Sequence, residues 1–252
     1  MMSGQSKDPE CCQWLDWDSD FFGFGVAQVE SKILTQALCY DIERWCQRNN
    51  VSCLYFAAAA DDLATMRLAE AFGYQLVDVR ILLHKSLGTG ELPTALSPQV
   101  RRSRAEDLPT LKALSRGAFT DSRFYYDEHI PAHLRGELYA RWVETSHLNP
   151  ADAVLVWEQS GVVMGYVTCH PGEAGTGAKI GLLAVGHQFR RSGVGGLLLD
   201  AAVAWFYRAS VDRVSVVTQA RNIVAQRLYQ RRGFLVENVS LYYHKWRQMS
   251  AG

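Results

Sequence analysis

The sequence predicts a protein of the α+β class, with a mixed sheet and two related units. Residues 38–85 align without a gap on residues 198–245, and the alignment contains 11 identities in 48 positions. In both copies, segments with helical periodicity alternate with short, nearly uniformly apolar segments. Such segments are typical of strands that helices cover.

Each copy predicts the same element order, helix, strand, helix and a final strand that ends in His-Lys. The helices and the first strand are predicted at 38–49, 53–57 and 62–72, and again at 197–209, 213–217 and 223–232. Gly73 and Gly233 follow the second helix of each copy. A helix often ends in a left-handed residue there, and only glycine adopts that conformation without steric cost.

The longer second half contains further elements before its copy of the repeat. A strand at Arg101 and two helices precede a hairpin at Gln159–Gly161, where glycine suits the turn. A strand at Lys179–Val185 follows. The resulting order is β-α-α-β-β-β-α-β-α-β, which indicates a mixed rather than a doubly wound sheet.

A stretch rich in glycine and proline predicts the boundary between the two halves. We expect a truncated N-terminal domain at 1–86, a linker at 87–98 and a catalytic domain at 99–252. The first copy has no glycine-rich loop before its helix, so we expect it to lack an active site of its own.

Composition excludes several classes of protein. Lys and Arg total 26, as do Asp and Glu, so the net charge is zero and a nucleic-acid partner is not expected. No apolar run reaches the ~18–20 residues of a membrane span, and the first residues do not resemble a signal peptide. We therefore expect a cytoplasmic protein with no membrane partner. The six cysteines form no CxxC pair, so no metal is expected either, and a homodimer is left open.

A glycine-rich loop between a strand and a helix is the main candidate binding element. It spans 187–199 and contains Gly193, Gly195 and Gly196 behind the pair Arg190 and Arg191. Glycine lets a backbone approach a ligand closely, and the start of a helix attracts anions. The spacing matches neither the dinucleotide fingerprint nor the P-loop, and a plain turn has the same composition. The loop alone leaves phosphate binding and a simple turn both open.

The order of the surrounding motifs resembles the GCN5-related N-acetyltransferase (GNAT) family. Leu183-x-Val185 precedes Gln188-x-Arg190-Arg191-x-Gly193-x-Gly195, and Asn222-x-x-Ala225-x-x-Leu228-Tyr229-x-x-x-Gly233-Phe234 follows after a helix and a strand. The resemblance implies the GNAT fold over about residues 100–246, preceded by a truncated GNAT-like domain. It also implies acetyl-CoA as co-substrate. The implied cofactor-binding residues are Leu182, Leu183, Ala184, Val185, Gln188, Arg190, Arg191, Ser192, Gly193, Val194, Gly195, Gly196 and Asn222.

Tyr229 is the catalytic candidate. Acetyl transfer to an amine needs a proton for the departing thiolate, and a phenol with a pKa of about 10 is a suitable donor. The alternative is a half-buried aromatic residue with its hydroxyl at the surface. A backbone N–H near Leu183 would polarise the thioester carbonyl. We name no general base, because an amine with a near-neutral pKa or a chain of waters would remove the need for one.

The segment between the first two helices of the second half is the candidate acceptor site. Arg123 offers a fork for a diphosphate, Phe124 and Tyr125 offer rings for stacking, and Asp127 offers a carboxylate for an amine or hydroxyl. An amphipathic surface loop is the alternative. With Ser122, this segment resembles GNAT members that acetylate the 4-amino group of a dTDP-4-amino-4,6-dideoxy sugar for surface polysaccharide assembly. Acetylation of another amine and a non-catalytic acyl-CoA-binding module stay open as alternatives.

Overall fold

A computed structural model describes residues 11–88, 97–172 and 177–247. The strands are β1 (Cys12–Trp14), β2 (Val26–Val29), β3 (Cys53–Ala59), β4 (Gln75–Ser86), β5 (Val100–Arg102), β6 (Ala153–Gln159), β7 (Val162–His170), β8 (Ala178–Val185), β9 (Arg213–Gln219) and β10 (Leu235–Trp246). The helices are α1 (Asp16–Phe22), α2 (Gln36–Arg48), α3 (Leu63–Ala71), α4 (Leu108–Arg116), α5 (Ala132–Leu148), α6 (Val194–Arg208) and α7 (Ile223–Arg231). Most of the predicted linker, residues 89–96, lies outside the described residues.

The chain divides into two compact units. The first contains the chain up to Val79 and again from Val239 onward, and the second contains Arg80–Asn238. Strands β4 and β10 therefore each begin in one unit and end in the other.

In the first unit, β2 pairs with β1 in antiparallel and with β3 in parallel orientation. The side chains of Thr35 and Asp62 cap the helices, because each accepts a hydrogen bond from a backbone N–H of the first turn of α2 and α3. Apolar residues of α2, including Ile42, pack on Phe56 and its neighbours in β3. This packing buries one face of the strands.

The second unit has the strand order β4-β9-β8-β7-β6-β5. Helix α6 covers one face, where Leu198 and Phe206 pack with Val167 of β7 in the main core. Successive side chains of a strand alternate between its faces, so Tyr166 points to the opposite face of β7 from Val167. The Tyr166 hydroxyl lies 2.6 Å from that of Ser115, and α4 therefore packs on this opposite face. The acceptor-site candidates lie in the segment between α4 and α5.

The final strands of the two repeats are exchanged. Antiparallel pairing joins Arg80 of β4 to Gln219 of β9, and Ser240 of β10 to Ala59 of β3. Adding 160 to the first repeat turns one register into the other. Each copy therefore completes its sheet with the last strand of its counterpart.

The predicted element order is confirmed in both repeats and in the second half. Strand β3 becomes β9, and α3 becomes α7, when each is shifted by 160 residues. Gly73 and Gly233 adopt φ of 78° and 79°, as helix-ending left-handed residues do. The hairpin turn also has positive φ, 52° at Ser160 and 78° at Gly161. Within the described ranges, no helix combines the length and the apolarity that crossing a bilayer requires.

Candidate functional site

Strand β8 is paired with β9 along only part of the edge that faces that strand. Its parallel pairing with β9 covers three residues, from Ala178 opposite Val214 to Ile180 opposite Val216, although both strands continue further. On its other side β8 remains paired with β7, up to Val185 opposite Gly165. Apart from the Val185 carbonyl, which accepts from Arg190 Nε, the backbone groups of 181–185 that face β9 are thus left for an extended ligand to pair with.

A bulge interrupts β8 at the start of this open edge. Val167 pairs with Leu183 and Cys169 with Ile180, so two residues of β7 advance while three residues of β8 advance. The extra residue lies at Gly181 or Leu182. Bulges redirect backbone groups, and they are frequent beside active sites.

The glycine-rich loop forms a cradle of free amides at the start of α6. Positive φ at Arg191 (65°) and Gly193 (87°) turns the backbone so that successive N–H groups point the same way. The five consecutive N–H groups from Arg191 to Gly195 have no acceptor among residues that the structure describes. We call these five residues the amide cradle. Together with the start of α6, it presents a concentrated positive potential to an anion.

Other predicted loop residues support the cradle. The Ser192 hydroxyl donates to the Phe189 carbonyl at 2.5 Å, and Arg190 Nε donates to the Val185 carbonyl at 3.3 Å. Gln188 lies in the one-turn 3-10 helix His187–Phe189 and is exposed. These contacts join the loop to the end of β8.

Gly196 lies behind the cradle in a crowded position. A Cβ on Gly196 would approach Arg232 Nη2 to 2.5 Å. Arg232 is held there by Asp200, whose carboxylate accepts a hydrogen bond from its Nε at 2.8 Å. Glycine at this position lets the guanidinium reach across the first turn of α6.

Tyr229 lies on α7 and is 6% exposed. Its ring packs near Phe234, with 5.9 Å between centroids. Burial raises the pKa of the phenol above its ordinary value, because a charged phenolate is poorly solvated there. The side chain therefore carries its proton throughout the neutral pH range.

Asn222 begins the same helix. Its Oδ1 accepts a hydrogen bond from Ala225 N at 3.0 Å, which caps the first turn of α7. The side chain that the motif assigns to the coenzyme arm therefore also fixes the start of the helix that carries Tyr229.

The acceptor segment, residues 117–131, connects α4 to α5. Phe124 is 2% exposed, and its ring contacts Tyr139 and Trp142 of α5. Arg123 places its guanidinium carbon 4.6 Å from the centre of the Phe124 ring. Phe124 thus packs inside the segment, while the partly exposed Arg123 lies against it.

The remaining predicted acceptor residues make mostly internal contacts. Asp127 is buried, and its Oδ1 accepts a hydrogen bond from His129 N at 3.0 Å. Tyr125 donates its hydroxyl proton to the Arg116 carbonyl at 3.2 Å, and partial burial raises its pKa. Ser122 is buried, and its hydroxyl has no partner among the described residues.

Sequence reasoning missed Arg221 and Tyr126. The Arg221 guanidinium carbon lies 3.6 Å from the centre of the Tyr126 ring, and Nη1 donates to the Asp121 carbonyl at 3.2 Å. Arg221 precedes Asn222, so it links the acceptor segment to the helix that carries Tyr229. Its position directly before the motif asparagine was the available indication.

Comparison with known proteins gives this geometry a family context. Residues 115–234 match the model of the acetyltransferase (GNAT) family. The dTDP-fucosamine acetyltransferase of Escherichia coli O6:H1 is 27% identical over 234 residues, which cover 92% of this chain and 96% of the relative. The spore coat polysaccharide biosynthesis protein SpsD of Bacillus subtilis is 28% identical over 56% of this chain and 48% of its own.

Solved structures share the fold. A GCN5-related N-acetyltransferase from Sphaerobacter thermophilus has a TM-score of 0.65 at 18% identity, covering 93% of this chain and 76% of its own. A functionally unknown conserved protein from Staphylococcus epidermidis has a TM-score of 0.66 at 13% identity, covering 98% and 96%. The predicted fold and family resemblance are confirmed. The chain contains a domain of the acetyltransferase (GNAT) family, at residues 115–234, and the protein is an acetyl-transferring enzyme.

Proposed function

We propose that the protein transfers the acetyl group of acetyl-CoA to the 4-amino group of a dTDP-4-amino-4,6-dideoxy sugar. The product would serve the assembly of a surface polysaccharide. The observation that carries the coenzyme half of the proposal is the amide cradle at the start of α6.

The cradle fits a diphosphate. It offers five N–H donors without an acceptor in the described chain, and Arg190 and Arg191 lie exposed beside them. Charge-assisted hydrogen bonds from amides and guanidinium groups to phosphate oxygens are among the strongest that proteins form. The open edge of 181–185 would pair with the amide-containing arm that extends from the diphosphate.

Acetyl-CoA would supply the thioester. Beside it, the Leu183 N–H is directed away from β7, because Gly186 N donates to β7 and successive amides of a strand point to opposite sides. This N–H is therefore available to a developing oxyanion. The Tyr229 hydroxyl would hold the proton that the departing sulfur requires, and its raised pKa keeps that proton in place.

The sugar half of the proposal rests on the extent of one similarity. The match to the dTDP-fucosamine acetyltransferase extends beyond the 115–234 domain to 92% of this chain. Arg123 and Arg221, which both contact rings of the acceptor segment, would bind the nucleotide diphosphate.

Free-thiol release from acetyl-CoA tests the proposal when it is measured against a panel of acceptors. The panel contains dTDP-4-amino-4,6-dideoxy sugars of both C4 configurations, a peptide, a polyamine and an aminoglycoside, and mass spectrometry identifies the acetylated product. Turnover confined to the sugar nucleotides supports the proposal. Turnover of another amine alone would leave an acetyltransferase with a different acceptor. Binding of acetyl-CoA without any turnover would favour a non-catalytic module.

A further inference from the structure

Two side chains of β7 and one from the turn before β6 form a chain of hydrogen bonds that ends on the bulge of β8. His170 Nδ1 lies 2.9 Å from the Asp152 carboxylate, and His170 Nε2 lies 3.0 Å from Thr168 Oγ1. Thr168 Oγ1 in turn accepts the Leu182 N–H at 2.8 Å. We call Asp152, His170 and Thr168 the relay.

The Asp152 carboxylate, an acceptor at one end of the relay, and the Leu182 N–H, a donor at the other, set the direction of its hydrogen bonds when the imidazole is neutral. A carboxylate only accepts, so Nδ1 of His170 carries a hydrogen toward Asp152, and Nε2 accepts the hydroxyl proton of Thr168. The Thr168 oxygen is then free to accept from Leu182. Burial lowers the pKa of His170 despite the opposing effect of Asp152, and Lys179 lowers it further, which favours the neutral ring. Arg102 donates to the Asp152 backbone carbonyl at 2.6 Å.

The relay lies against Gly181, where any larger residue would collide with it. A Cβ on Gly181 would lie 2.7 Å from Thr168 Oγ1 and would also collide with the His170 ring. Thr168 is fully buried, while the side chains of His170 and Asp152 are 19% and 11% exposed. The hydroxyl of Thr168 is therefore held from one side by the imidazole and from the other by the bulge.

The bulge determines where the next amide points. Because Thr168 holds the Leu182 N–H on the β7 side, the following N–H, of Leu183, is directed to the open edge. We propose that the relay of Asp152, His170 and Thr168 is a positioning device that fixes this N–H where the acetyl carbonyl must be polarised. The inference rests on the proposed function, because it assigns a role to residues around the acetyl-CoA site.

Three variants test the relay. Thr168→Val removes the hydroxyl at constant volume, and Thr168→Ser keeps it. His170→Leu removes the imidazole that hydrogen-bonds to the Thr168 hydroxyl, at a position that is less buried than Thr168. This variant replaces Thr168→Val in the test if Thr168→Val does not fold. Hydrogen exchange of the Leu182 amide in the free protein reports whether Thr168 holds the bulge. The carbonyl stretch of bound isotope-labelled acetyl-CoA, measured by difference infrared spectroscopy, reports polarisation without any acceptor.

In Thr168→Val we expect faster exchange at Leu182, a carbonyl stretch shifted toward that of free acetyl-CoA, and a kcat lowered roughly 10–100-fold with little change in acetyl-CoA affinity. Thr168→Ser should restore all three, and His170→Leu should shift them in the direction of valine. An unchanged carbonyl stretch and kcat in Thr168→Val would overturn the positioning role. Wild-type protein that fails to bind acetyl-CoA would instead overturn the proposed function and the inference with it.

Discussion

Tyr229 in α7 and Ala69 in α3 occupy the same position of two matching helices, and both are buried. The helices that precede them, α2 and α6, also differ at their first turns. The Thr35 hydroxyl accepts from Leu38 N at 3.2 Å at the start of α2, whereas the amides from Arg191 to Gly195 at the start of α6 have no acceptor among the described residues. The first repeat thus lacks the phenol and the cradle together, and the chemistry is expected in the second.

Replacing Tyr229 with phenylalanine removes the proton donor and keeps the ring that packs near Phe234. We expect kcat to fall roughly 100-fold or more, because general acids contribute about that much. The affinity for acetyl-CoA should stay unchanged in calorimetry. Since burial raises the pKa of this phenol, wild-type kcat should not decline with loss of the Tyr229 proton below about pH 10.

Tyr40→Phe is the matched control, because Tyr40 is half exposed on α2 in the first unit. It should leave kcat and acetyl-CoA affinity at wild-type values. A Tyr229→Phe enzyme with the same kcat as Tyr40→Phe would remove Tyr229 from the mechanism.

Gly193 adopts φ of 87° at the start of α6, a conformation that costs other residues about 1–2 kcal/mol. Gly193→Ala should relieve this strain by turning the cradle amides, and we expect roughly 10-fold weaker binding of coenzyme A in calorimetry. Gly88→Ala is the control, since a Cβ there meets no atom of the described residues within 4 Å. Equal affinities of the two variants would show that the left-handed turn does not shape the site.

Arg123 and Arg221 make the same kind of ring contact from different segments, on Phe124 and Tyr126. Arg123→Ala and Arg221→Ala should each raise the KM for the sugar nucleotide roughly 10-fold, since each removes a charge-assisted contact. The KM for acetyl-CoA should not change. Steady-state kinetics with each substrate varied separately distinguishes the two effects. A rise confined to acetyl-CoA would place these arginines at the coenzyme instead.

Asp107 should stabilise the second unit in a pH-dependent way. Arg101 donates to both of its carboxylate oxygens, at 2.6 and 2.9 Å, and this pairing lowers the pKa of Asp107. A lowered pKa means that the contribution is complete above the unfolded-state value of about 3.9 and is lost as the pH falls further.

Asp107→Asn should therefore lower the free energy of unfolding by about 2 kcal/mol at pH 7, and by progressively less below about pH 4. Urea denaturation at several pH values measures this difference. Glu106→Gln is the control, because its contact with Arg104 at 3.8 Å is exposed and such pairs contribute little. A constant difference between wild type and Asp107→Asn across the pH range would contradict the linkage.

The repeat predicted the elements because helical and strand periodicity are local properties. Gly73, Gly193 and Gly233 could be placed for the same reason, since positive φ is a requirement of single residues. The exchange of β4 and β10 could not be predicted. Both strands have the same pattern, and periodicity does not determine which neighbour a strand joins.

The candidate site likewise has one part that the sequence predicts and other parts that it does not. The amide cradle consists of consecutive residues, so a sequence motif could predict it. Phe124 and Asp127 carry chemistry suited to a ligand, but their side chains are buried by contacts with α5 and His129. The relay of Asp152, His170 and Thr168 meets the Leu182 amide through pairing between neighbouring strands, and no spacing in the sequence identifies such a set.

Binding of a diphosphate by the amide cradle is tested most directly by calorimetry of the wild-type protein with two ligands. One is coenzyme A, and the other is pantetheine, which has the same arm but lacks the diphosphate. If the amides from Arg191 to Gly195 hold the diphosphate, coenzyme A should bind roughly 100-fold or more tightly than pantetheine, as several charge-assisted hydrogen bonds require. Equal affinities, or no binding of coenzyme A, would contradict that role for the loop.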